Sequence, residues 1–182
     1  MGFTIGPDQV VVAPGSKPLL FAFFDILEGD VLLPRPSWVS YEPQVKHAGK
    51  RLFWVETDEH DRHTITSESY MTWSCPYDEY RTDKLTESSL QTSFNRAVAE
   101  GAKPRIMLIN SPSNPTGQTF SHATLHEITS FCRDNSITLI SDDIYADLTF
   151  DEKNRTTPCS QENFNAGRMI MTGGLSKVIY QP

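Results

Sequence analysis

No run in this sequence approaches the roughly 18 apolar residues that a membrane-crossing helix needs. The opening Met1-Gly2-Phe3-Thr4 also lacks the charged region and following apolar stretch of a secretory leader. A cytoplasmic, membrane-free protein is the expectation. Cysteine is scarce: Cys75, Cys132 and Cys159 are an odd, widely spaced set with no C-x-x-C spacing, which argues against a disulfide framework and for reduced thiols. Basic charge is short as well. Sixteen Lys and Arg against 23 Asp and Glu leave a net charge of −7, and the cations are scattered, so no nucleic-acid footprint is present. His60 with His63, and His122 with His126, have the spacing of metal pairs, but no third ligand stands at a suitable distance in sequence, so no metal site is expected. No internal repeat or low-complexity tract is visible, and 182 residues suit one domain with a sizeable core. A small-molecule partner is the default.

What is there is an alternation of short apolar runs with helical patterns. Val10–Ala13, Val31–Leu33, Arg51–Val55, Ile106–Ile109, Ile137–Ile140 and Met169–Met171 read as strands. Candidate helices between them make the class α/β, a mainly parallel sheet flanked by helices. Residues 16–27 have Pro18 in their first turn and are apolar almost all round, as expected of a helix packed on both sides. Thr86 could cap a helix whose apolar stripe is Leu90, Phe94, Ala97 and Val98, and a helix from His122 to Asp134 should bury Leu125, Ile128 and Cys132. Residues 56–84 form a polar excursion too long for an ordinary connection.

Three short runs carry the chemistry. Asn114-Pro115-Thr116-Gly117 lies a few residues beyond a strand. Ser141-Asp142-Asp143-Ile144-Tyr145 and Gly173-Gly174-Leu175-Ser176-Lys177 each close one. Together they offer a carboxamide, a carboxylate, a phenol and an amine nucleophile, the set that binds and activates pyridoxal phosphate. Each has a blander reading. Lys177 alone would be a solvated surface charge. Asp142 or Asp143 could be a helix N-cap, Tyr145 could be core with a satisfied hydroxyl, and Asn-Pro-Thr-Gly is a good turn. Gly15-Ser16-Lys17, between a strand-like run and a helix, could cradle a phosphate at the helix N-terminus or could be an ordinary turn. Trp38 could stack on a ring or pack in the core, as Trp54 and Trp73 could.

In this order and spacing the runs resemble the large domain of the class I/II aminotransferases, the fold-type I pyridoxal-phosphate enzymes, over nearly the whole chain from about Asp8 to Pro182. Ala13-Pro14-Gly15-Ser16-Lys17, and the run from Leu33 to Tyr41 that holds Trp38, fit the same family. The resemblance implies the cofactor pyridoxal 5'-phosphate and a set of roles. Lys177 would be the Schiff-base former and proton shuttle, and Asp142 the partner of the pyridine nitrogen. Tyr145 and Asn114 would hydrogen-bond the phenolic oxygen, with the Asn-Pro bond often cis. Gly15, Ser16, Lys17 and Ser176 would hold the phosphate, and Trp38 would stack on the ring. Asp143 stands where the family usually has Glu, and Gly174 where many relatives have a phosphate-binding Ser.

The sequence stops just before the segment in which the family carries a further phosphate-binding arginine, and the family's C-terminal small domain and N-terminal segment have no counterpart in it. The expectation is the central part of a large domain, from a homodimer in its full-length form. The implied activity is transfer of an amino group from an amino acid to a 2-oxo acid. The alternatives are a lyase or synthase of the same fold, such as an aminocyclopropane-carboxylate synthase or a carbon–sulfur lyase, and a truncated non-catalytic remnant.

Overall fold

The protein is represented by a computed structural model that describes residues 4–57, 85, 87–148, 157, 164–165 and 167–177. Thr86 and all but the first two residues of the 56–84 excursion lie outside them. Five strands, β1 (Asp30–Arg35), β2 (Leu52–Glu56), β3 (Pro104–Asn110), β4 (Thr138–Asp142) and β5 (Met169–Thr172), form one sheet in the order β2-β1-β3-β4-β5. Every pairing among them is parallel. The helices are α1 (Ser16–Ile26), α2 (Tyr41–His47), α3 (Glu87–Ala99) and α4 (His122–Asp134).

Strand alternation divides the core into two layers. Val31, Leu33, Ile106, Leu108 and Ile140 point to the face that meets Leu20 and Phe24 of α1 and Tyr41 and Val45 of α2. Their neighbours Leu32, Met107, Ile109 and Leu139 point to the other face, against Leu90 and Ala97 of α3 and Leu125, Ile128 and Cys132 of α4. A sheet buried on both faces reads as continuous apolar runs, which is why these strands were legible. The Cys132 thiol is buried against Met107, and burial pushes its pKa up to about 12. Helix α4 starts where Ser121 Oγ accepts a hydrogen bond from the Thr124 N–H at 3.1 Å, a side-chain cap for one of the otherwise unpaired first-turn donors.

The strand expected at Val10–Ala13 is not formed. Val10 has extended dihedrals, but the segment pairs with no described strand, and Val10, Val11 and Val12 are exposed. Extended backbone becomes a strand only where a neighbouring edge supplies its ladder, and none is supplied here. Helix α1 is buried on one side only: Leu20 and Phe24 are inaccessible, while Phe21 and Ile26 face outward. Val98 likewise leaves the stripe of α3, which is carried by Leu90, Phe94 and Ala97 with Ser93. Helix α2 was not anticipated; its seven residues, with Pro43 in the first turn, are too few to establish a helical period.

Candidate active site

After β1 the chain passes to β2 on one side, and later returns to add β3, β4 and β5 on the other. The order therefore reverses at the β1/β3 boundary, and open α/β sheets bind ligands in the crevice beyond the carboxyl ends of the strands at such a point. The candidate residues gather there. β1 runs out toward Trp38, β3 toward Asn114, β4 toward Asp142 and Tyr145, and β5 toward Ser176 and Lys177, while α1 brings in Gly15, Ser16 and Lys17 at its N-terminus. All nine line one cavity of about 240 Å³.

Asp142 is its anionic pole. The side chain is 3% exposed, the last residue of β4. Its Oδ2 accepts from the Tyr41 hydroxyl at 2.8 Å and its Oδ1 from the Thr172 hydroxyl at 3.0 Å. Burial raises its pKa above the ordinary 3.8, and the donors from Tyr41, Thr172 and the Ile144 backbone pull it partly back. Tyr41 is itself 2% exposed. Burial first, and then the charge of Asp142, push its pKa far up, so it remains a proton donor to the carboxylate. The Tyr41 ring also stands edge-on to Trp38, with centroids 5.3 Å apart at 82°. One residue thus braces both the buried acid and the flat ring beside it.

Asn114 Nδ2 donates to the Tyr145 hydroxyl at 3.2 Å, and Lys177 Nζ lies 6.0 Å from the centre of the Tyr145 ring. The Asn114–Pro115 bond is cis. Lys177 follows β5 in a short 3₁₀ turn, exposed like Ser176 beside it. Lys17 Nζ sits 5.2 Å over the Trp38 ring. Trp38 therefore packs on the core with one side and lines the cavity with another. Gly15 caps α1 with φ +112°, a conformation glycine tolerates, and leaves the first-turn N–H groups uncovered by any capping side chain. At Gly174 a Cβ would lie 2.7 Å from Ile144 Cδ1, so a serine there would push that methyl aside.

Asp143 points away from this cavity. Ser141 Oγ donates to its Oδ1 at 2.5 Å and Thr157 Oγ1 to its Oδ2 at 3.1 Å. Desolvation first, with a contribution from the charge of Asp142, raises its pKa to about 6 despite both donors. Alternation along the strand explains the split: neighbouring residues face opposite sides of the sheet, so only one of the two acids can face the crevice.

The family model described as "Aminotransferase class I and II" matches residues 2–179. The chain belongs to the class I and II aminotransferases. Among curated relatives of this aminotransferase-family chain, the aspartate aminotransferase of Bacillus subtilis (strain 168) is 29% identical over 174 residues, which cover 94% of the chain and 38% of the relative. That of Thermotoga maritima is 32% identical over 176 residues, covering 95% and 39% respectively. The chain thus spans about two-fifths of the length of the relatives it matches. In structure it resembles the Thermus thermophilus aspartate aminotransferase with maleate (TM-score 0.71, 23% identity, 97% of this chain and 39% of that one). It also resembles a PLP-bound C-S lyase from Staphylococcus hominis (TM-score 0.73, 17% identity, 97% and 39%). At these identities the structural likeness establishes the fold, a partial fold-type I domain.

The residues present fit pyridoxal phosphate. A buried carboxylate with two hydroxyl donors suits a protonated ring nitrogen, a glycine-started helix N-terminus suits a phosphate, and two ammonium groups, Lys17 and Lys177, line the same cavity. Sequence reasoning missed Tyr41 and Thr172. Tyr41 lay within a family-like run without a distinguishing feature, and Thr172 lay just past the run Met169–Met171 read as a strand. Among the described residues no group of three or more His, Cys, Asp or Glu could hold a metal ion, and no helix is long and apolar enough to cross a membrane.

Proposed function

We propose that this chain carries the cofactor-binding centre of a pyridoxal-phosphate-dependent aminotransferase that moves an amino group from an amino acid to a 2-oxo acid. The observation that carries the proposal is the convergence of Lys177, Asp142, Tyr145, Asn114 and the Gly15–Ser16 helix start on one cavity of about 240 Å³. The bound cofactor supplies an aldehyde for an amine and a protonated pyridine ring that draws electrons from the substrate's α-carbon.

Asp142 holds negative charge against the ring nitrogen and so favours its protonated form. Tyr41 and Thr172 favour the ionised form of that carboxyl against its burial, and aim it. Asn114 and Tyr145 donate to the phenolic oxygen. The N-terminus of α1, with Ser16, Lys17 and Ser176, takes the phosphate, and Trp38 covers a face of the ring. Lys177 Nζ would hold the aldehyde, and its amine would move the proton at the substrate's α-carbon. The assembled enzyme would be a homodimer, as in the family.

The relatives named aspartate aminotransferase support L-aspartate as the first amino donor to test, with 2-oxoglutarate as acceptor. Formation of oxaloacetate and glutamate, lost in Lys177→Ala, is the expected result. The fold shared with the Staphylococcus hominis enzyme favours carbon–sulfur lysis as the second reading. Release of a thiol, ammonia and pyruvate from a cysteine thioether, without amino transfer, would replace the first reading by the second. Neither reaction in a chain that binds the cofactor would mark a non-catalytic remnant.

A further inference from the structure

β3 and β4 stay in register to the end: Ile109 pairs with Ser141, and Asn110 with Asp142. Beyond that pair the ladder cannot continue, because the chain opposite Asp142 has turned off into Ser111-Pro112 and proline has no N–H to give. The Asn110 side chain takes over. Its Nδ2 donates to the Asp142 carbonyl at 2.7 Å, and its Oδ1 accepts from the backbone N–H of Asn114 at 2.7 Å. The residue is 8% exposed and lines the cavity. Both ends of one planar amide are therefore fixed, one on the residue that carries the buried carboxylate and the other on the residue that carries the Tyr145-bound carboxamide.

We infer that Asn110 is a positioning residue that sets Asp142 and Asn114 relative to each other. On the proposed function, on which this inference rests, those two groups address opposite edges of one rigid ring: Asp142 the ring nitrogen and Asn114 the phenolic oxygen. A rigid ligand tolerates little error in the span between its partners. A single amide bonded to both backbones ties that span to the sheet rather than to the loop after β3. No direct contact between Asn110 and the ligand is needed.

The test compares the full chain with Asn110→Ala, which removes both bonds, and Asn110→Asp, which keeps the acceptor for the Asn114 N–H but loses the donor to the Asp142 carbonyl. The first measurement is hydrogen exchange in the cofactor-free protein. The Asn114 amide should exchange at least ~10-fold faster in Asn110→Ala and stay near wild type in Asn110→Asp, as expected for loss of a buried backbone hydrogen bond. The second is titration with pyridoxal phosphate, following the absorbance of the bound cofactor against pH. Asn110→Ala should weaken binding by about tenfold, or ~1.4 kcal/mol, and move the pH midpoint of the bound absorbance in the direction that Asn114→Ala moves it. Should Asn110→Ala not fold, Asn110→Ser gives the same two readouts. Unchanged exchange at Asn114, or a lower melting temperature with binding and midpoint both at wild-type values, would overturn the inference while leaving the proposed function standing. A wild-type chain that gives no cofactor absorbance at all would overturn both.

Discussion

Replacing Tyr41 by Phe removes one oxygen and nothing else from a buried side chain at the edge of the cavity. The ring keeps its place against Trp38, and the volume lost is that of a hydroxyl, so the effect isolates the 2.8 Å bond to Asp142 Oδ2. The carboxylate would lose its Tyr41 donor and keep those from the Thr172 hydroxyl and the Ile144 backbone. Hydrogen bonds to charged groups are worth about 1.5–3 kcal/mol, and for a chain of this size each kcal/mol lowers the melting temperature by about 2–4 °C. The protein has one escape, which is to protonate Asp142.

The pKa of Asp142 already lies above its ordinary 3.8 in the folded state. A carboxyl raised in this way contributes stability that is present below 3.8 and lost as pH rises through the folded value. Losing the Tyr41 donor raises the folded value further, so the cost of Tyr41→Phe should grow with pH. The assay is urea unfolding of the wild type, Tyr41→Phe, Asp142→Asn and the double variant at pH 5 and pH 8. At pH 8 the double-variant cycle should give a coupling of about 1–2 kcal/mol, smaller at pH 5. Additive effects at pH 8, or a cost that falls with rising pH, would refute the brace between Tyr41 and Asp142.

Asp143→Asn should flatten the fall in stability between pH 3.8 and about 6 that its raised pKa causes; the gap corresponds to at most about 3 kcal/mol, less as solvent screens it. Urea midpoints across that range read it directly, and cofactor binding at pH 8 should be far less affected than in Asp142→Asn. Gly15→Ala meets no atom closer than Pro18 Cδ at 4.0 Å, so its cost is that of the positive-φ extended backbone, a region left almost entirely to glycine, about 1–3 kcal/mol. Thermal melts should show that loss together with weaker binding of inorganic phosphate and of the cofactor.

The fold was legible where burial on both faces turns a strand into an unbroken apolar run, as at Ile106–Ile109 and Ile137–Ile140. It was misread where the same residue types stand without a partner: Val10–Ala13 has strand composition and no ladder. The cavity residues could be named because amine, acid, phenol and amide each belong to a recognisable run at a strand end. Their supports could not. Tyr41 acts from a helix of seven residues, Thr172 from a strand terminus, and Asn110 through a geometry that exists only once β3 and β4 are in register. Nothing local in the sequence distinguishes those three from ordinary core-edge residues. The choice between Asp142 and Asp143 followed family order; in the structure Asp142 lines the cavity, while Asp143 bonds to Ser141 and Thr157.

The most direct measurement is where the cofactor attaches. The chain would be incubated with pyridoxal phosphate, reduced with borohydride, digested and mapped by mass spectrometry. A pyridoxyl group on the peptide containing Lys177, absent from Lys177→Ala, is the predicted result. Labelling concentrated on Lys17 or Lys103, or spread evenly over the surface lysines, would contradict the assignment of this cavity as the cofactor site.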